Sequence, residues 1–172
     1  MNKSIFELLS KYNKETNNKM NEIIKTLREE DWDKQFSGYY KSIHELCSHI
    51  FIGDYTWLNR FRTLGTWKSL GEHYFNKNYS FKEIVFENIS EYCTKRTEMD
   101  SIIVDFTDEI TENDLEKTLE WTNSKGIHFE RKLATCLIHL SHHESHHRGM
   151  ISLYLEFLGK ENDYSNLYPY GQ

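Results

Sequence analysis

Proline is almost missing from this sequence: one residue in 172, Pro169 close to the C-terminus. A chain that avoids proline for so long is free to build long helices, which proline would break. Cysteine is scarce too. Cys47, Cys93 and Cys136 are odd in number, widely spaced and never arranged as CxxC, so neither a disulfide framework nor a zinc ribbon is indicated. They read as small core residues in a reducing compartment. There is no excess of basic charge; the formal net charge is −6, and a basic face able to displace counterions from a nucleic acid is lacking. No apolar run approaches the roughly 18 residues of a membrane span. The opening MNKSIFELLSKYNKET carries no apolar stretch followed by a small-residue cleavage site. The expectation is a soluble, cytoplasmic protein that partners neither nucleic acid nor membrane.

Apolar mass is ample, with 11 Tyr, 10 Phe and 4 Trp, and the length suits one domain over residues 1–172. Four long segments repeat apolar residues at helical spacing. The first runs from about Ile5 to Leu27. The second follows Ser42, with Glu45 three residues on as a capping box, and stops near Gly65. The same pattern at Ser80 and Glu83 predicts the start of the third, which continues to about Phe106. The fourth spans roughly Arg131 to Leu158, with Gly159 as the terminating residue. Thr66 to Tyr79 reads as a long aromatic-rich linker. Leu115 to Trp121 and Ile127 to Phe129, flanking a polar turn at Asn123 to Gly126, read as a short extended or hairpin excursion. The fold class is therefore all-α: a four-helix bundle with long crossover connections and that excursion before the last helix.

Five of the nine histidines fall between His139 and His147, in HLSHHESHHRGM. Such density usually means metal binding. Histidines four apart project from one helix face and can share an ion. At about 100° per residue, Leu133, Cys136, Leu137, Leu140, Ile151, Leu155 and Leu158 form one face. His147 lies within it, His143 at its edge and His139 just outside; His146 points away and His142 is nearly opposite. The inward pair is His143 and His147. Two ligands rarely hold a metal tightly, so a third must come from another helix. His44 and His49 both flank the second segment's apolar stripe, and periodicity does not choose between them. His73 and His128 read as surface residues. Asp54 sits near the middle of that stripe, where a carboxylate is costly unless paired. It pairs with a neighbouring helix or orients a ligand imidazole.

The segments HELCSHIFIGDYTWLNRF and LIHLSHHESHHRGMISLYLEFLG resemble the DinB-like (damage-inducible) family of bacterial four-helix proteins. In that family one metal-binding histidine opens an "HI…D..WL.RF"-like stretch, and two more lie four apart in an "H…H…HRGQ"-like stretch. The resemblance thus implies His49, His143 and His147 as ligands of one divalent metal ion, zinc or nickel. Asp54 and His139 become the candidates for orienting those ligands. Met150 departs from the pattern, standing where the family often has Gln. The resemblance also implies metal-dependent transfer of a low-molecular-weight thiol, of bacillithiol type, to an electrophile. Glu144 would be an optional proton acceptor, and a homodimer is the expected assembly. The non-enzymatic alternative is a metal-binding or stress-response bundle.

A rival motif overlaps these residues. His143-Glu144-Ser145-His146-His147 spells HExxH, in which two histidines bind zinc and Glu144 is the general base. The continuation HExxHxxGxxH is absent and the preceding pattern is helical, so hydrolysis of peptides is the lesser expectation. Glu144 and His147 also match the ExxH of di-iron bundles, but no second copy exists.

Overall fold

In the computed structural model, which describes residues 2–123, 125–164 and 166–170, four long helices dominate: α1 (Ser4–Ile24), α3 (Ile43–Phe61), α4 (Ile89–Glu109) and α6 (Leu133–Phe157). Short helices α2 (Glu29–Trp32) and α5 (Glu112–Leu115) sit in the connections. Strands β1 (Thr118–Thr122) and β2 (His128–Lys132) form an antiparallel hairpin directly before α6. The hairpin's Trp121 stacks on Phe129, its cross-strand partner. The turn expected at 123–126 includes Ser124, which lies outside the described residues.

Each long helix has two long neighbours. α1 packs against α4 and α6, and α3 packs against the same two, which closes a four-membered ring around one core. Met20, Ile24, Leu46, Leu58, Phe61, Met99, Phe106, Leu137, Leu140 and Leu155 fill that core, and so do all three cysteines. Burying each of the large aliphatic side chains contributes roughly 1.5–3 kcal/mol. No helix among the described residues is long and apolar enough to cross a membrane.

The helix ends follow local chemistry, with one correction. The Ser42 hydroxyl accepts the Glu45 N–H at 3.1 Å, and the Glu45 carboxylate reaches back to the Lys41 N–H at 2.7 Å, so α3 opens where the capping pattern puts it. Gly159 ends α6 at φ +71°, the left-handed conformation a glycine adopts without strain. The third long helix, however, starts at Ile89 and not after Ser80. Asn88 is its cap, accepting the Glu91 N–H at 2.9 Å, while the Glu91 carboxylate takes the Glu87 N–H at 2.7 Å. At Ser80 only half of that pattern forms: the Glu83 carboxylate accepts the Ser80 N–H, while the Glu83 N–H donates to the Ser80 carbonyl and closes an isolated turn. The chain beyond them is pulled out straight because it crosses α3. There the Val85 N–H donates to the Ser48 hydroxyl at 3.2 Å, the Phe86 carbonyl meets His44, and the Phe86 ring is buried. The crossover therefore runs from about residue 62 to 88, longer than the linker read from composition.

Candidate metal centre

The α3–α6 contact places His49 opposite His143 and His147, which stand one turn apart on α6. One donor atom from each lies within 4.8 Å of the other two. The Nε2 atoms of His49 and His143 are 3.0 Å apart. Nitrogen ligands about 2.0–2.1 Å from a tetrahedral ion would sit about 3.3 Å from one another, so this spacing suits a shared cation. Gly53 makes the approach possible: a Cβ there would stand 2.7 Å from Cε1 of His143. The residue one turn after His49 is thus reduced to a hydrogen so that an imidazole from α6 can lie against α3.

Electrostatics point the same way. Burial, reinforced by the neighbouring histidines, pushes His143 down to about 4 and His147 down to about 3. Burial also lowers His49, against a weaker opposing pull from the Phe81 backbone and Asp54. All three are neutral at pH 7, the form that ligates metals. The Nδ1 atoms of all three are buried without a hydrogen-bond partner among the described residues. His44 shows the contrast. Its Nδ1 meets Asp33 at 2.8 Å, its Nε2 meets the Phe86 carbonyl at 2.9 Å, and its ring stacks on Trp32. Both ring nitrogens of His44 are committed to holding chain segments together. The choice that helical periodicity leaves open between His44 and His49 is made by the fold: three histidines, His49, His143 and His147, could hold one metal ion.

The other sequence candidates fall elsewhere. His142, His146, His73 and His128 are exposed. His139 is exposed as well, its ring 5.1 Å from Trp57 and 6.1 Å from His143, with no hydrogen bond to a ligand among the described residues. Asp54 is fully buried, and its hydrogen bond goes to Arg96 at 2.5 Å, not to an imidazole. Glu144 requires a correction. It is 0% exposed and turns into the bundle, 3.8 Å from Arg96 and 3.5 Å from Arg148. Burial first, and then the nearby charge of Asp54, holds its carboxyl well above the usual carboxylate range. A carboxyl sealed from solvent and turned toward Arg96 and Arg148 is out of reach of a substrate thiol's proton. For the same reason it cannot serve as the base of a HExxH hydrolase, although the motif is intact in sequence. Met150 is half-buried and packs against the core.

These two carboxyls belong to an ionic network that the apolar pattern did not show. Arg96 of α4 pairs with Asp54, with Asp100 at 2.8 Å and, more loosely, with Glu144. Arg148 of α6 donates to Asn13 and Asn17 of α1, and Asn17 donates to Asp100 at 2.8 Å. Burial works against the charge of Arg96, but Asp100, Asp54 and Glu144 more than offset it and hold its pKa far above the ordinary value. A signal was present in α1: Ser10, Asn13, Thr16, Asn17 and Asn21 recur at helical spacing and all face inward. A polar stripe on a helix that also buries Phe6, Met20 and Ile24 marks a partner that needs hydrogen bonds.

The DinB family model matches residues 1–170 of the 172-residue chain. This chain belongs to the DinB family. No curated protein matches it. The three histidines that the resemblance to DinB-like proteins singles out are the three that the fold brings together. The helical bundle with one small hairpin before its last helix likewise agrees with a DinB protein.

Proposed function

We propose that this DinB protein is a metal-dependent thiol transferase, joining a low-molecular-weight thiol of bacillithiol type to an electrophile. The observation that carries the reading is the ligand set. Three neutral imidazoles from two helices converge, and no carboxylate joins them among the described residues. Such a set leaves coordination positions of a zinc or nickel ion open to an incoming group. A bound divalent ion supplies positive charge that favours the thiolate form of a thiol beside it at neutral pH. The protein's own residues do the rest by placement. His49, His143 and His147 fix the point of charge, Gly53 admits the His143 ring, and the rings of Tyr40 and Phe81 lie against His49.

In balanced form, R–SH and R′–X give R–S–R′ and HX, with the thiol proton passing to water because Glu144 is sealed in the core. The buried, unpaired cysteines suit a reducing compartment such as the cytoplasm.

The test begins with elemental analysis of the native protein. Loss of free thiol is then followed against 1-chloro-2,4-dinitrobenzene, using bacillithiol and simpler thiols, with metal loaded and stripped. Thiol consumption that requires the metal and is lost in His143→Ala is expected. Peptide cleavage with no thiol-dependent activity under any metal would overturn the reading. Silence in both assays would leave a metal-binding protein without turnover.

A further inference from the structure

Next to the histidines, between the strand of chain that precedes α3 and the long crossover, lies a cavity of about 430 Å³. Its walls include Tyr39, Tyr40, Phe81 and Ile84, and its charged residues are Glu45, Lys82 and Glu83. That volume is in the range of small-molecule sites. It is tied to the candidate metal centre through two rings. Tyr40 stacks obliquely on His49 at 4.5 Å and meets His147 edge-on at 5.3 Å, and Phe81 lies 6.3 Å from His49. No histidine lines this cavity itself; a larger depression, about 590 Å³, opens at Lys25, Glu29, Ser90 and Thr97, and none of its lining residues has a ring contact with His49, His143 or His147.

Two features of the cavity are unusual for an ordinary surface. First, Phe81 is 49% exposed and Ile84 47% exposed, and with Tyr39 they leave apolar area bare around one opening. Single exposed apolar residues need no explanation, but three lining one cavity beside two aromatic-packed histidines form a patch. Second, the charges are unequally committed. One oxygen of Glu45 accepts the Lys41 N–H at 2.7 Å, and one oxygen of Glu83 accepts the Ser80 N–H at 2.9 Å. Each carboxylate thus has one oxygen fixed to the backbone, though both keep their charge. Lys82, which also lines the cavity, makes no hydrogen bond or ion pair among the described residues. An uncommitted cation beside bare aromatic faces is a recognition element for a ligand with both a flat apolar part and a negative charge.

We infer that this cavity seats the substrate, and that the substrate is an anionic molecule with a planar apolar portion: its ring lies against Tyr40 and Phe81, and its anionic group pairs with Lys82. The inference rests on the reading above in taking the histidine centre as the reactive one; the binding it claims is measurable without turnover. Burial, helped by Tyr39 and Glu45, pushes the Tyr40 phenol up to about 12, so this wall is uncharged at neutral pH and does not repel an anion.

The probes are naphthalene-2-sulfonate, 2-naphthalenemethanol and 2-naphthylmethylammonium, which share one ring system and differ in charge. Sulfonate is chosen because it is a poor metal ligand. Affinities are measured by titration calorimetry, and placement by shifts in the NMR signals of Tyr40 and Phe81. The expected order is sulfonate, then alcohol, then ammonium. Lys82→Gln, a change on an exposed loop, should weaken sulfonate at least about fivefold and leave the alcohol within about twofold. Phe81→Ala should weaken both. Tightest binding of the ammonium probe, indifference of sulfonate to Lys82→Gln, or no binding of any probe at millimolar concentration would each overturn the inference. A protein without thiol transfer that still binds sulfonate through Lys82 refutes the proposed reaction and supports the cavity's assignment.

Discussion

Where α3 meets α6, His49, His143 and His147 gather at a half-open edge; deeper in the bundle, the same two helices contribute Asp54, Glu144 and Arg148 to a network centred on Arg96 of α4. The two clusters are sequence neighbours. Glu144 follows His143, and Arg148 follows His147. Their chemistry differs in which groups meet. In the ionic network, opposite charges meet and α1 adds Asn13 and Asn17 as further partners. In the histidine cluster, three groups of one kind face each other, each held neutral, with no carboxylate joining them among the described residues. Like groups brought together without a partner imply a partner from outside the chain, whereas opposite charges paired across helices imply a role in holding those helices in register.

The largest effect expected from separating the two is on stability. Arg96→Ala would leave Asp54 and Asp100 buried without their cation and should cost about 3–5 kcal/mol, read from urea unfolding of the metal-free protein. Metal affinity of the folded fraction should stay within about threefold. A collapse of metal binding with unchanged stability would show that the network serves the histidines directly.

Next in size is the converse experiment. His143→Ala should lower metal affinity on the order of 100-fold or more by calorimetry, since a two-ligand remnant holds an ion weakly. His142→Ala should stay within about twofold. The reverse pattern would mean that the helix register is wrong. Acid should act on the same site late. With His143 near 4 and His147 near 3, protons compete for the nitrogens only well below the 6.5 of a free imidazole, so metal should remain bound at pH 6. In the metal-free protein the sign is fixed by the same depression. The unfolded chain takes up these protons first, so stability is fully present above about pH 6.5 and is lost as pH falls toward 4.

Gly53→Ala sharpens the comparison further, because it should move stability and metal affinity in opposite directions. The new methyl meets the His143 ring, which can swing away, so affinity should fall roughly tenfold. Helix propensity favours alanine by about 0.8–1.0 kcal/mol, and the melting temperature should hold or rise. The smallest effect is expected at Glu144→Gln. Burial already disfavours the charged form of the native carboxyl and keeps it from any substrate, so stability should change by less than about 1 kcal/mol and thiol transfer only a few-fold. Loss of all activity in this variant would restore Glu144 as a proton acceptor.

Much of this could be read without coordinates. The 3.6-residue period located the four long helices, and Ser42 and Gly159 marked two of their ends, because periodicity and capping are properties of a few neighbouring residues. The start of α4 was misplaced for an equally local reason. Ser80-x-x-Glu83 and Asn88-x-x-Glu91 carry the same sequence pattern, and what separates them is that Phe86 and Val85 are pinned across α3, so only Asn88 caps a helix with its side chain. A turn of capping chemistry holds no information about a helix that crosses it.

The histidines divide in the same way. Spacing on α6 by itself put His143 and His147 on the inward side and left His142 facing out. It could not decide between His44 and His49, nor show that the adjacent Glu144 looks inward to Arg96. Those outcomes depend on which helix lies against which face. α3 turns His49 toward α6 and His44 toward Asp33 and Phe86. The polar stripe of α1 likewise acquires its meaning only once α4 and α6 bring Asp100 and Arg148 against it. A sequence determines the direction a side chain takes from its own helix axis; the partner waiting there is a property of the packed bundle, set by contacts such as that of Asn13 with Arg148, 135 positions apart.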